Sequence, residues 1–348
     1  MKFKEKIKIG SYTIAKNQPV FIIAEAGVNH NGEIAQAKKL IDVAVKAGAN
    51  AVKFQAFKTE NLILTNVQKA QYQKKTTGSD ESQFEMLKKL EITKDQNIEL
   101  INYCTQNNII FLTTPFDEES LDELDSLNLP AYKVASTDTT NLLFLKKIAQ
   151  KGKPIFLSTG MSFMSEVELA LEQIHKYNKE VILLQCTANY PIKNTDANLN
   201  IVKTYQEKFD MLVGYSDHSV GIGASPYAVP MGAVVIEKHF TLDKGLSGPD
   251  HEASLSPNEL KEFVAEIRKV EKYMGSAIKE PTKDEEKTRI SLQKSLVALH
   301  TIKQGEVFTE QNIVAKRTGG KGISPINYEQ LVGKKATKDY SPNEIIYE

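Results

Sequence analysis

The sequence predicts an α/β chain built as a (β/α)8 barrel, and two observations carry that expectation. Eight short apolar runs each close on polar or charged residues, and helix-like stretches recur between them. The runs span 21–27, 51–55, 109–116, 131–136, 154–160, 181–187, 211–218 and 233–240. They are near-continuous rather than alternating, as expected of strands covered on both faces in a parallel sheet. Eight strand–helix units are the number that closes a barrel.

Before the first run, KIKIGSYTI and the turn-forming AKNQP predict a short hairpin that can plug the barrel floor. Helical periodicity follows over 34–48, 118–127, 141–152, 165–177 and 258–275, several of these stretches stopping at Gly as a C-cap would. The connection from 56 to 108 is unusually long. Its Lys- and Gln-rich centre, QKAQYQKKTTGSDESQ, falls where a barrel carries a functional loop, so it is expected to cover the active site. Residues 1–278 are assigned to the barrel and its hairpin. The polar segment 279–292 reads as a linker, and 293–348, with short alternating strands and Gly-containing turns, as a small module. That module is near the lower limit for independent stability.

Lys plus Arg and Asp plus Glu both total 44, so no global field steers nucleic acid or anionic membrane, and any anion must be held by local placement. No apolar run is long enough to span a bilayer, and the basic start lacks an apolar signal core, so a cytoplasmic protein with no membrane partner is expected. Cys104 and Cys186 sit in no ligand-like spacing and read as buried, reduced thiols.

A barrel gathers its chemistry at the C-terminal ends of its strands. Those ends carry Glu25, Lys53 with Gln55, Thr113 and Thr114, Lys133 with Ser136, Ser158 with Thr159, Tyr190, Ser216-Asp217-His218 and Glu237-Lys238-His239. One lysine at a strand end is ordinarily a solvated charge. Lys53 and Lys133, from the second and fourth strands and flanked by Ser136, Ser158 and Ser216, form instead a candidate clamp for a polyanion. His218 and His239 end adjacent strands, so their imidazoles can meet as a divalent-metal site; the alternative is a hydrogen-bonded core pair. Without a cysteine the pair points to an open site for manganese, cobalt or magnesium that polarises a carbonyl, not to structural zinc. Glu25, among apolar and small residues, is the first candidate acid or base, its pKa raised by burial. Asp217 and Glu237 can act in water-mediated contacts or hold the histidines. The loops GVNHNG (27–32) and GPDH (248–251) should be neighbours, where Asn29, His30, Asp250 and His251 could meet a polyhydroxylated ligand.

These residues resemble the sialic acid synthases, which condense phosphoenolpyruvate with an N-acetylated hexosamine. The likeness covers essentially the whole chain: IAEAGVNHNG (23–32), VKFQ (52–55), TTPFD (113–117), LSTGM (157–161), GYSDHS (214–219), IEKHFTLDK (236–244), GPDHEASLSP (248–257), and VAKR, GISP and LVGK in the terminal module. The resemblance implies a (β/α)8 barrel joined to an antifreeze-like (SAF) domain in a domain-swapped homodimer. It implies Mn2+, or Mg2+ or Co2+, on His218 and His239, with Glu25 near the metal and its water. By position, Lys53, Lys133, Ser136, Ser158 and Ser216 match the phosphoenolpyruvate cradle. Gln55, Asp138, Tyr190 and Asp250 match sugar-facing positions, and Arg317 matches an arginine reaching in from the partner subunit, although Thr318 stands where proline is usual.

The resemblance leaves two acceptors, N-acetylmannosamine as the first expectation and 2,4-diacetamido-2,4,6-trideoxymannose as the alternative. N-acetylmannosamine gives N-acetylneuraminate, whereas 2,4-diacetamido-2,4,6-trideoxymannose gives N,N'-diacetyllegionaminate. Competing readings are a metal-dependent aldolase on the same barrel, distinguished by phosphate release, and a sugar- or ice-binding protein. The latter leaves the rim lysines, Glu25 and the histidine pair without purpose.

Overall fold

A computed structural model describes residues 1–69, Lys74 and 81–348. The chain divides into two compact units, Met1–Gly275 and Ser276–Glu348.

In the larger unit, β1 (Lys6–Ile9) and β2 (Tyr12–Ala15) form an antiparallel hairpin. Eight strands follow: β3 (Phe21–Gly27), β4 (Ala51–Ala56), β5 (Ile110–Pro115), β6 (Tyr132–Val134), β7 (Ile155–Ser158), β8 (Val181–Cys186), β9 (Leu212–Asp217) and β10 (Val235–His239). Each falls within or one residue beyond a run marked by the sequence. They pair in parallel in the order β5-β4-β3-β10-β9-β8-β7-β6, so the first and last barrel strands are joined. β5 and β6 lie side by side at the seam, where no ladder pairing is formed among the described residues.

Pleating sorts the side chains into two apolar layers. Ile22, Ala24, Val52, Phe54, Phe111, Val134, Leu157, Val213 and Ile236 pack outward against helix residues such as Leu40, Leu145, Leu171 and Phe263. The opposite phase, with Phe21, Ile23, Ala51, Leu112, Phe156, Ile182, Leu184, Leu212 and Val235, fills the lower barrel together with Ile7, Ile9 and Ile14 of the hairpin. The hairpin therefore seals the floor. Further along the strands the inward positions turn polar, which puts a charged layer directly on an apolar one. Gly214 leaves no room for a side chain: a Cβ there would sit 2.5 Å from the Val235 carbonyl oxygen and 2.6 Å from Leu184 Cδ2.

The helices form where periodicity marked them, over Ile34–Ala47, Glu118–Asp125, Leu142–Gln150, Met164–His175 and Pro257–Met274. Gly48 ends the first in the left-handed conformation, and the last begins with a Ser256/Glu259 capping box. The 56–108 connection holds more regular structure than a loop reading implies: helices at Thr59–Leu62, Gln83–Lys88 and Lys94–Gln106, the last capped by Thr93 and Gln96. Weak amphipathicity explains why periodicity missed them. Most of its Lys- and Gln-rich centre lies outside the described residues. Cys104 and Cys186 are buried, and burial pushes the Cys104 thiol up to about 12.

In the smaller unit, β11 (Lys294–Ala298) pairs with β12 (Ile313–Arg317), and Leu296, Ile302, Phe308, Ile313, Tyr340 and Ile346 build a separate core. The segment read as a linker contains a helix, Lys283–Leu292, capped by Thr282 and Glu285 but burying none of its residues. Its all-round polarity is why no apolar stripe announced it. No described helix is long and apolar enough to cross a membrane.

Gly214→Ala should cost about 1–3 kcal/mol, because a rigid neighbouring backbone must yield to admit the methyl group. Urea unfolding midpoints of the two proteins measure it, and equal midpoints would show that β9 and β10 have slack.

Candidate active site

The inward phase of four strands brings two lysines and two glutamates together. Glu25 on β3 registers with Lys53 on β4 and with His239 on β10, and Glu237 on β10 registers with Ser216 on β9. Lys53 Nζ lies 2.7 Å from Glu25 Oε2 and 3.7 Å from Glu237 Oε2, and donates to Thr114 Oγ1 at 3.2 Å. From β6, Lys133 Nζ lies 3.8 Å from Glu237 Oε1 and donates to the Val134 carbonyl at 3.1 Å. Ser216 Oγ donates to Glu237 Oε1 at 3.0 Å. All four charged residues are at most 4% exposed, so their pairing decides their ionisation.

Burial lifts the Glu25 carboxyl to about 7, against the opposing pull of Lys53. Burial also opposes charge on Glu237, but Lys133 and Lys53 together outweigh it and hold that carboxyl below its usual range. For Lys53, Glu237 and Glu25 overcome desolvation and raise the pKa, whereas at Lys133 desolvation wins and lowers it. Two carboxylates thus differ in protonation because one faces a single lysine and the other is straddled by two.

Around this cluster, Ser158 Oγ is buried without a hydrogen-bond partner, and Ser136 Oγ accepts from the Gly160 amide at 2.9 Å. Ser136 and Asp138 stand on a 3-10 turn after β6, where Asn141 and Thr137 donate to the Asp138 carboxylate. Gln55 Nε2 reaches Glu25 Oε1 at 3.5 Å.

The two histidines meet above the charged layer, their ring centroids 5.4 Å apart, and Tyr190 packs against both at 4.2 and 5.5 Å. His218 Nδ1 donates to the Thr187 carbonyl at 2.9 Å, which leaves Nε2 as its free lone pair. His239 Nδ1 is buried without a partner, and burial, with His218 beside it, holds that imidazole neutral well below its ordinary pKa. Among the described residues no group of three or more His, Cys, Asp or Glu forms a ligand set. Two convergent imidazoles fit an open divalent-ion site that leaves positions for substrate and water, and do not fit a closed structural one. Asp250 is buried near His218, and desolvation raises its carboxyl to about 6.

The loops after β3 and β10 are neighbours, as expected, but they spend their polar groups on each other. Asn29 donates to the Phe240 carbonyl at 2.8 Å and to Ser254 Oγ at 3.0 Å; His251 bonds Thr241 Oγ1 at 2.6 Å and Asn31 Oδ1 at 3.1 Å. Asn29 and His251 therefore lock the barrel closure, whereas His30 accepts only from the Gly32 amide of its own loop, and Asp250 stands near His218. Arg317, at the end of β12, belongs to the smaller unit and is exposed there. Beside it, the Thr318 hydroxyl donates to the Lys321 carbonyl and lies 3.0 Å from Ser295 Oγ.

Sequence reasoning tied Glu237 to the histidines and missed that it sits between the two lysines. The signal was available: two residues before His239 on one strand, Glu237 shares its inward phase. Cys186, whose Sγ lies 3.8 Å from His218 Nδ1, carried no such mark.

An α/β barrel with a buried lysine–carboxylate cluster under a histidine pair is the site of an anion-using, metal-assisted enzyme. Residues 40–279 match the NeuB family and residues 293–348 the SAF domain. The N,N'-diacetyllegionaminic acid synthase of Campylobacter jejuni is 50% identical over 94% of this chain and 98% of that protein. That of Legionella pneumophila is 40% identical over 92% and 91%. A crystal structure of N-acetylneuraminic acid synthetase from Leptospira borgpetersenii, in complex with citrate, superposes with a TM-score of 0.73 at 36% identity, covering 84% of this chain and 98% of that one. The chain belongs to the NeuB family. It is a transferase of the phosphoenolpyruvate-dependent nonulosonate synthase class, whose members join phosphoenolpyruvate to an amino sugar.

His30 gives the stability of the fold a pH dependence. Burial, with His251 nearby, lowers its pKa from 6.5 to about 4. The unfolded imidazole binds a proton below about 6.5 and the folded one only near 4, so stability is lost as pH falls through that window, by on the order of 3 kcal/mol. Unfolding free energies at pH 7 and pH 4.5 should differ by less in His30→Gln than in the wild type; equal differences would remove His30 from the acid transition.

Proposed function

We propose that the chain condenses phosphoenolpyruvate with 2,4-diacetamido-2,4,6-trideoxymannose and water, giving N,N'-diacetyllegionaminate and phosphate. The observation that carries the phosphoenolpyruvate half is the buried Lys53–Glu237–Lys133 arrangement, in which two lysines converge within 4 Å of one carboxylate. Phosphoenolpyruvate offers the same lysines more negative charge, and the hydroxyls of Ser136, Ser158 and Ser216 supply neutral donors to its oxygens. The identity to two legionaminic acid synthases supports the sugar half. N-acetylmannosamine is the second reading, supported by the likeness to the N-acetylneuraminic acid synthetase.

In this reading His218 Nε2 and His239 hold a divalent ion, Mn2+ first and Mg2+ or Co2+ as alternatives. When bound, the ion would supply Lewis-acid polarisation of the acceptor's aldehyde. Lys53 and Lys133 hold the phosphate end of phosphoenolpyruvate so that its C3 faces the aldehyde carbon. As C3 bonds to the aldehyde carbon, the C=O electron pair moves to the aldehyde oxygen, which takes the proton carried by Glu25, and the positive charge left at C2 is attacked by water. Glu25 accepts a proton from that water, a role suited to a carboxyl held at about 7. The tetrahedral C2 centre then releases phosphate by C–O cleavage, the lysines stabilising the leaving oxygens. Gln55, Asp138, Tyr190 and Asp250 face the sugar, and Arg317 reaches it from the second chain of a domain-swapped homodimer. Cytoplasmic residence is part of the reading, since phosphoenolpyruvate is made there.

Phosphate release measured with each sugar should give the larger kcat/KM for the diacetamido sugar, fall to background in EDTA and return with Mn2+. A larger value for N-acetylmannosamine would select the second reading. Mixing Arg317→Ala with Glu25→Gln chains should restore roughly a quarter of wild-type activity, because statistical mixing leaves one intact site in half of the dimers. No restored activity would argue against a shared site.

A further inference from the structure

The strand ends that present His218 and His239 are joined by a second buried ion pair, facing the opposite way. Asp217 and Lys238 are register partners on β9 and β10, each adjacent in sequence to one histidine. Alternation turns them to the helix side of the sheet while the imidazoles face the barrel mouth. Lys238 is 2% exposed and Asp217 1%. Lys238 Nζ donates to Asp217 Oδ2 at 2.9 Å and to the Ser219 carbonyl at 2.7 Å.

Asp217 is saturated with donors. Its Oδ1 accepts from the Ser219 amide at 2.8 Å, Ser219 Oγ at 2.6 Å and the Tyr215 hydroxyl at 3.3 Å; its Oδ2 accepts from the Ser225 hydroxyl at 2.7 Å and the Ser225 amide at 3.2 Å. Gly223, at φ +61°, lets this knot close: a Cβ there would fall 1.9 Å from Ser219 Oγ and 3.2 Å from Lys238 Nζ.

The chemistry proposed above uses none of these atoms. Elsewhere on the same strands helix-facing positions are apolar, as at Val213 and Ile236, and apolar residues would fill these two positions at no desolvation cost. What an ion pair adds is direction. It fixes the distance between two strand ends and their register, whereas apolar contacts permit sliding.

We propose that Asp217 and Lys238 are positioning residues for the histidine pair, their ion pair setting the separation and aim of His218 and His239 and thereby the affinity of the site for a divalent cation. The proposal rests on the reading of those histidines as metal ligands. Outer groups bonded directly to a ligand typically change metal affinity by ten- to a hundredfold, and a pair that acts through the strand ends is expected at the lower end of that range, about tenfold.

The test is Mn2+ binding to the full chain without substrates, followed by the paramagnetic signal of free Mn2+ below the melting temperature of each variant. Wild type, His218→Ala, Lys238→Met and Asp217→Asn are compared, with phosphoenolpyruvate binding in EDTA as the control. Lys238→Met and Asp217→Asn should bind Mn2+ at least about tenfold more weakly, keep phosphoenolpyruvate affinity within about twofold, and recover most of kcat at saturating Mn2+. Folded variants with wild-type Mn2+ affinity would overturn the proposal, as would equal losses of Mn2+ and phosphoenolpyruvate binding. If neither variant folds, Ser225→Ala leaves the pair but removes one donor, and should weaken Mn2+ binding roughly threefold; unchanged affinity again overturns the proposal. Equal Mn2+ binding by wild type and His218→Ala would instead overturn the metal reading, and the proposal with it.

Discussion

Two lysines and two carboxylates taken out of water set the terms for everything around them. An isolated buried charge of either sign is costly, and each of these groups is tolerable because the others are within a few ångströms. The arrangement is balanced: Lys53 and Lys133 against Glu25 and Glu237. It is also uneven, since Glu237 lies between both lysines while Glu25 faces one, and that asymmetry keeps one carboxyl charged and the other near neutrality. An anionic substrate entering such a cluster competes with Glu237 for cations that are already desolvated, so the lysines need not be stripped of water again on binding.

A charged layer of this kind needs a dry floor. The hairpin isoleucines and the lower inward residues of seven barrel strands provide one, so the pleat that turns Ile23, Ala51, Leu112 and Leu212 inward turns Glu25 and Lys53 inward two residues later, and Ser216 four residues after Leu212. Sequence alternation is therefore not only a folding signal here. It determines which residues share the mouth and which, like Asp217 and Lys238, are directed to the helices.

Much of this was legible before any coordinates. The eight apolar runs located the strands to within a residue or two because burial on both faces leaves a continuous apolar signature, and the strand-end rule collected nearly every residue of the charged cluster. Three features were not legible. The helices over 83–106 and 283–292 are too weakly amphipathic to show as periodicity and announce themselves only by capping boxes. The role of Asn29 and His251 depends on which partner each polar group finds across the closure, which spacing does not encode. The central position of Glu237 depends on lysines 104 and 184 residues away in sequence, Lys133 and Lys53, and a run-by-run reading assigns it to its nearest neighbour in the chain instead.

Barrel closure also explains why the site lies where it does around the ring. The continuous ladder runs through β4, β3, β10 and β9, and these four strands carry Lys53, Glu25, Glu237, His239, Ser216 and, just past the end of β9, His218. The seam between β5 and β6 lies on the other side, where β6 is only three residues long and gives way to the turn bearing Ser136 and Asp138. Groups that need fixed mutual distances, such as the two imidazoles of the proposed ion site, are best placed on hydrogen-bonded neighbours rather than on turns. The first and last strands of the barrel, more than two hundred residues apart, are brought into register by that closure, and the pairing of Glu25 with His239 exists only because the ring is complete at that point.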